Sequence, residues 1–112
     1  MKVKSWEKDG VAILEPSGKL MGGPDTGELD EKLYALLGRG AKKVVIDLGQ
    51  TEWINSSGLS ILIHHWKKFQ DAGGSLRLAN LTQRIEKILV IARLTSVFDC
   101  YDSLDLALAS FK

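Results

Sequence analysis

Asp47-Leu48-Gly49-Gln50-Thr51-Glu52-Trp53-Ile54-Asn55-Ser56-Ser57-Gly58-Leu59-Ser60-Ile61-Leu62 is the stretch whose reading decides the fold. It is entered from Val44-Val45-Ile46, a β-branched run that reads as a buried strand. A polar loop then leads into Asn55-Ser56-Ser57-Gly58, and an apolar helical pattern starts at once. The paired hydroxyls therefore stand where a strand hands over to a helix N-terminus. Orphan backbone N–H groups and the positive end of the helix dipole gather at such a place. It suits a serine cap, an anion, or a phosphate added to a serine. Either Ser56 or Ser57 is expected to cap the helix.

Helical spacing continues to about Ala72, with Leu59, Leu62, Ile63, Trp66 and Phe69 expected on the buried face. His64, Lys67, Lys68 and Asp71 fall on the wet one, and both histidines, His64 and His65, are expected at the surface or half-buried. Gly73-Gly74 stops the helix, and Ser75 to Ala79 alternates as a strand. Upstream, Val3 to Glu7 and Val11 to Glu15 read as an antiparallel hairpin about Asp9-Gly10, with Pro16 and Gly18 breaking the regularity. A loop from Gly18 to Asp25 precedes a helix marked by Leu29, Leu33, Leu36 and Leu37 and ended by Gly38 and Gly40. Downstream, Thr82 is a plausible cap for a helix carrying Ile85, Ile88, Leu89 and Ala92. Val97 to Cys100 reads as a short edge strand, and Leu104, Ala107, Leu108 and Phe111 mark a final helix.

This order predicts an α/β fold occupying 1–112 as one domain. Its mixed sheet has four to five strands, opens on the antiparallel hairpin and packs with about four helices. The strand ends preceding the first two helices should meet, bringing the Gly22-Gly23 loop close to the serines.

Composition narrows the function. The chain has 112 residues, 45% of them hydrophobic, and a formal net charge of +1. That is enough apolar material for one core. The balance gives no electrostatic case for a nucleic-acid partner. Lys42-Lys43 and Lys67-Lys68 read as solvated edges. No apolar run reaches the roughly 18 residues of a membrane span, so direct membrane insertion is not expected. A lone cysteine, Cys100, fits a reducing, cytoplasmic setting and reads as a small apolar residue in or near the core.

Chemistry is hard to place here. A serine nucleophile needs a base within hydrogen-bond reach, and His64 lies seven residues beyond Ser57, about 10 Å along the helix. No Gly-x-Ser-x-Gly elbow is present. Adjacent His64 and His65 point about 100° apart and make a poor metal pair. Gly22-Gly23 and Gly73-Gly74 lack the Gly-Lys-Ser/Thr of a phosphate loop. The sequence predicts no catalytic residue, no cofactor and no metal.

Val44 to Leu48, the segment Trp53-Ile54-Asn55-Ser56-Ser57-Gly58-Leu59 and the amphipathic helix after it resemble the STAS domain. That family comprises bacterial anti-sigma-factor antagonists and also occurs at the cytoplasmic ends of sulfate transporters. The hairpin start, Gly18-Lys19-Leu20, Gly73-Gly74 and the short last helix agree with it. The resemblance implies a non-enzymatic signalling module that docks a cytoplasmic serine kinase doubling as the anti-sigma factor. A serine phosphatase would reset it. By the same resemblance Ser56 is the phosphoacceptor. The docking face then comprises Leu20, Met21, Gly22, Gly23, Asp25, Trp53, Asn55, Ser57 and Gly58, with Trp53 as a candidate interface anchor. The family usually has Asp where this chain has Asn55, so a scaffold subunit without the phosphoswitch, in a signalling complex or beside a membrane transporter, is the alternative.

Overall fold

The computed structural model describes residues 1–112, apart from the side chain of Asp25. Asp25, one of the expected contact residues, thus has its side chain outside the described residues. The elements in chain order are β1 (Lys2–Lys8), β2 (Val11–Leu20), a 3₁₀ turn (Gly23–Thr26), α1 (Gly27–Gly38), β3 (Lys43–Asp47), β4 (Thr51–Ile54), α2 (Ser56–Asp71), β5 (Ser75–Ala79), α3 (Gln83–Ile91), β6 (Cys100–Tyr101) and α4 (Leu104–Ala109).

The sheet has six strands in the order β1-β2-β3-β5-β6, with β4 alongside β2. β1 and β2 form the expected antiparallel hairpin, Trp6 facing Ile13, and every later pairing is parallel. Asp9 and Gly10, at φ 55° and 79°, make the turn between them. Left-handed geometry at both central residues suits the right-handed twist of paired strands.

β2 is longer than the sequence suggests. It runs through Pro16 and Gly18 to Leu20 because it changes neighbours midway. Ala12 to Leu14 pair with β3, and Gly18 to Leu20 pair with β4. Pro16 falls in the gap between those ladders, where its missing N–H is not called upon. Thr51 Oγ1 donates to its carbonyl at 3.0 Å and ties the two strands together. β4 is the strand hidden in the expected loop. It has four residues, and a register shift opposite Gly18/Lys19 spoils its alternation, so its burial runs in-out-out-in.

Two apolar clusters lie on opposite faces of the sheet, as period-two alternation requires. On one face Ala12, Leu14, Leu20, Val44, Ile46, Ile54, Leu76 and Leu78 meet Leu29 and Leu33 of α1, Leu62 and Phe69 of α2, and Ile85 and Leu89 of α3. On the other, Val11, Ile13, Val45 and Ala79 are covered by Ala107 and Leu108 of α4. Thr82 caps α3 as expected, its Oγ1 accepting from Ile85 N at 3.3 Å. The last strand is displaced to Cys100–Tyr101. Cys100 is exposed at that edge and is not a core residue. Cover over its sulfur, then Asp99 and Glu86, push the thiol up to about 11, so it stays protonated at neutral pH.

The buried ridge of α2 also departs from expectation. It comprises Gly58, Leu62, His65 and Phe69, while Leu59, Ile63 and Trp66 are only partly buried. His65 is fully buried. Its Nε2–H donates to Asp30 Oδ1 of α1 at 2.6 Å, and the Tyr34 ring stands edge-on 4.7 Å away. Nδ1 has no partner among the described residues. Protonating it would bury an N–H with no acceptor.

Burial therefore lowers the His65 pKa below 6.5, outweighing the raising effects of the Asp30 hydrogen bond and charge, while His64 adds a lowering. A depressed histidine makes stability full above the unfolded pKa and erodes it as pH falls through the folded one. The urea midpoint of the native domain is expected to drop between pH 7 and pH 5. His65→Leu should flatten that dependence. An equally steep loss in the variant would assign it to other groups.

Candidate partner-docking site

The site begins with the turn out of β3. Asp47 is buried, and its Oδ1 accepts from Gly49 N at 2.9 Å while its Oδ2 accepts from Asn80 Nδ2 at 2.9 Å. A carboxylate that folds back on the backbone two residues on is the usual way Asp closes a turn. Here it sets the path into β4, whose end delivers Asn55 to the mouth of α2.

Asn55, not a serine, caps α2. Its backbone is extended (φ −97°, ψ −177°), and its Oδ1 accepts from Gly58 N at 2.9 Å. This corrects the expectation that Ser56 or Ser57 would cap. Asn ranks with Ser as a cap, and three candidates stand in a row. What decides among them is where the buried ridge starts. Gly58 must face inward against β2, which makes it the third helical residue and Asn55 the cap. That signal was available in the sequence, had the ridge been phased on Gly58 and His65 instead of Leu59 and Trp66.

Both hydroxyl residues are consequently released from structural duty. Ser56 and Ser57 are exposed in the first turn of α2. The Ser56 carbonyl accepts from Ser60 Oγ at 2.9 Å, a contact that leaves the Ser56 side chain alone. No acidic residue lies in that first turn. The positive end of the α2 dipole thus meets a neutral cap and no acidic side chain in that turn, a setting that tolerates an added anion.

The loop after β2 packs directly onto this turn. Asn55 N–H donates to Leu20 O at 3.2 Å, and Asn55 Nδ2 donates to Met21 O at 3.0 Å. Gly22, at φ 81°, lies so close to Ser57 that an added Cβ would sit 2.5 Å from Ser57 Cβ. The expected meeting of the Gly22-Gly23 loop with the serines is therefore observed. Met21 and Trp53 are 38% and 42% exposed, so both offer apolar area on the segments that lead into and pack on this turn. Gly23 is exposed, and Gly22 and Asn55 are half-buried. Leu20 and Gly58 are placed differently: both are buried and hold the site together from beneath.

Both histidines are engaged away from the serines. His64 gives its Nε2 to Tyr34 OH at 2.7 Å, and His65 is committed to Asp30. Among the described residues no group of three or more His, Cys, Asp or Glu could hold a metal ion.

The residue pattern that defines the STAS domain matches residues 3–107. The chain belongs to the STAS domain family. A candidate anti-sigma factor antagonist of Bordetella bronchiseptica, BtrV, is 29% identical over 112 residues, covering 100% of this chain and 96% of that protein. The crystal structure of a candidate anti-sigma factor antagonist of Thermotoga maritima superposes with a TM-score of 0.87 at 23% identity, covering 96% of this chain and 92% of that one. The Bacillus cell fate determinant SpoIIAA, in its phosphorylated form, superposes with a TM-score of 0.77 at 12% identity, covering 99% of this chain and 100% of that one. None of this chain's described helices is long and apolar enough to cross a membrane.

Proposed function

We propose that this STAS domain acts in the cytoplasm by docking a serine kinase that is also an anti-sigma factor. Phosphorylation of Ser56 by that kinase breaks the complex, and a phosphatase restores the competent form. The docking face is formed by Met21, Gly22, Gly23, Trp53, Asn55, Ser56 and Ser57, underpinned by Leu20 and Gly58, with Asp25 on the same loop. The observation that carries this reading is an exposed Ser56 in the first turn of α2 whose hydroxyl is spared from capping by Asn55. The structural neighbour SpoIIAA, known in unphosphorylated and phosphorylated forms, supports the chemistry by analogy. ATP would belong to the kinase and not to this chain.

The logic is asymmetric. A phosphate carries about −1.5 to −2 charges at neutral pH. At the N-terminus of α2 its own domain accommodates it, whereas a partner packed on Ser56 meets a hydrated dianion.

Intact-mass measurement of the domain purified from its native host tests the modification. A single phosphate adduct that maps to Ser56 and vanishes on phosphatase treatment is the expected result. Persistent absence of the adduct across growth conditions would instead favour a constitutive scaffold, the reading that Asn55 in the usual Asp position suggests.

A further inference from the structure

We propose that Asn55 is a positioning residue that latches the Met21–Gly23 segment to the first turn of α2, so that both halves of the docking face are presented as one preorganised surface. The inference rests on the docking reading for its meaning, though not for its test.

The argument starts from what one side chain does twice. Asn55 Oδ1 accepts from Gly58 N at 2.9 Å, inside α2. Its Nδ2 donates to Met21 O at 3.0 Å, across to the loop after β2. A primary amide is the only side chain of this length with an acceptor and a donor on one planar group. An aspartate would keep the cap, since a carboxylate at a helix N-terminus accepts from the same N–H. Its second oxygen would face the Met21 carbonyl, acceptor against acceptor. A serine would also cap, but one oxygen on a shorter arm cannot hold both partners.

The surroundings show why such a latch has work to do. Met21 and Gly22 link the end of β2 to the 3₁₀ turn that starts at Gly23, and Gly22 and Gly23 have φ of 81° and 63°. Glycines in that region cost the most conformational entropy to hold. Ahead of the segment, the Leu20 carbonyl is fixed by Asn55 N–H at 3.2 Å. Behind it, Thr26 Oγ1 donates to Gly23 O at 3.2 Å. Between those anchors, among the described residues, the bond from Asn55 Nδ2 ties the segment to α2. It holds Gly22 against Ser57, where the contact has no room for a Cβ. Ordering the segment before a partner arrives removes that entropy from the cost of binding.

The experiment uses the free domain labelled with ¹⁵N and compares wild type with Asn55→Asp and Asn55→Ser. Both variants retain a cap, so both should fold. Order parameters of Met21, Gly22 and Gly23 are expected near ~0.85 in the wild type and below about 0.6 in both variants. Exchange protection of the Gly58 amide should stay within about a factor of three. Wild-type order parameters at Met21–Gly23 in either variant would overturn the proposal, because the donor would then not be what holds the loop. Loss of Gly58 protection with an unchanged loop would overturn it too, leaving Asn55 a cap alone. These readouts involve no partner, so they fail or succeed separately from any result at Ser56.

Discussion

Gly58→Ala is expected to destabilise the domain by about 3 kcal/mol and to lower its Tm by more than about 10 °C. An alanine Cβ at this position would lie 2.1 Å from Leu20 O and 2.9 Å from Leu20 C. Both are backbone atoms of β2 and cannot turn aside as a side-chain tip could. Either α2 lifts off the sheet or the end of β2 bends. Both movements stretch the Asn55 N–H to Leu20 O bond, whose loss adds about 1 kcal/mol to the overpacking cost. A domain of this size has about 5–15 kcal/mol in total, so the variant should be visibly crippled. Gly27→Ala is the control. That glycine is already helical (φ −58°, ψ −37°) with nothing within 4 Å of an added Cβ. It should be neutral or gain up to about 1 kcal/mol through a stiffer unfolded chain. Thermal unfolding of the two side by side decides. Equal Tm values would mean that α2 does not press on β2 as described.

The fold was largely legible where one physical signal acted alone. Val44, Val45 and Ile46 are β-branched and buried, and with Asp47 they form the central strand that this run predicts. Asp9-Gly10 is a hairpin turn by backbone sterics, and Thr82 caps α3 by the same hydroxyl chemistry that suggested it. The sequence was mute where tertiary pairing supplied the reason. Thr51 to Ile54 is strand only because the far half of β2 lacks another neighbour, and Pro16 is tolerated only because two ladders part around it. His65 reads as a surface residue by its polarity although it lies on the Gly58, Leu62 and Phe69 stripe; the partner that lets it be buried, Asp30, stands on α1, outside the helix pattern.

At the site, the exposure of Ser56 and Ser57 and their meeting with the Gly22 loop followed from motif and topology. The division of labour did not. Asn55 looked like a neutral stand-in for an acid, and the structure shows it using both ends of its amide. Leu20 belongs to the core because its side chain lies on the sheet face that α1 and α2 cover, while its carbonyl anchors the cap.

Phosphorylation of Ser56 is expected to weaken partner binding by about a hundredfold to a thousandfold, the equivalent of roughly 3–4 kcal/mol. A phosphate of about −1.5 to −2 charges would have to shed its hydration inside an interface fitted to a hydroxyl. The domain itself should not suffer. With no acidic residue in the first turn of α2, the dianion meets the positive end of the helix dipole with no like charge beside it, worth about 0.3–1 kcal/mol of stabilisation. Tm should therefore hold or rise while affinity falls, a pairing that general unfolding cannot imitate. Ser56→Asp brings one charge on a shorter arm and should give a weaker version of the effect, about tenfold or more.

Titration of the proposed partner kinase against wild type, Ser56→Ala and Ser56→Asp, with Tm recorded for each, tests the docking claim most directly. The predicted result is binding by Ser56→Ala within a few-fold of wild type and at least about tenfold weaker binding by Ser56→Asp, at unchanged stability. Equal affinities for the alanine and aspartate variants would contradict it, because Ser56 would then lie outside the surface the partner covers.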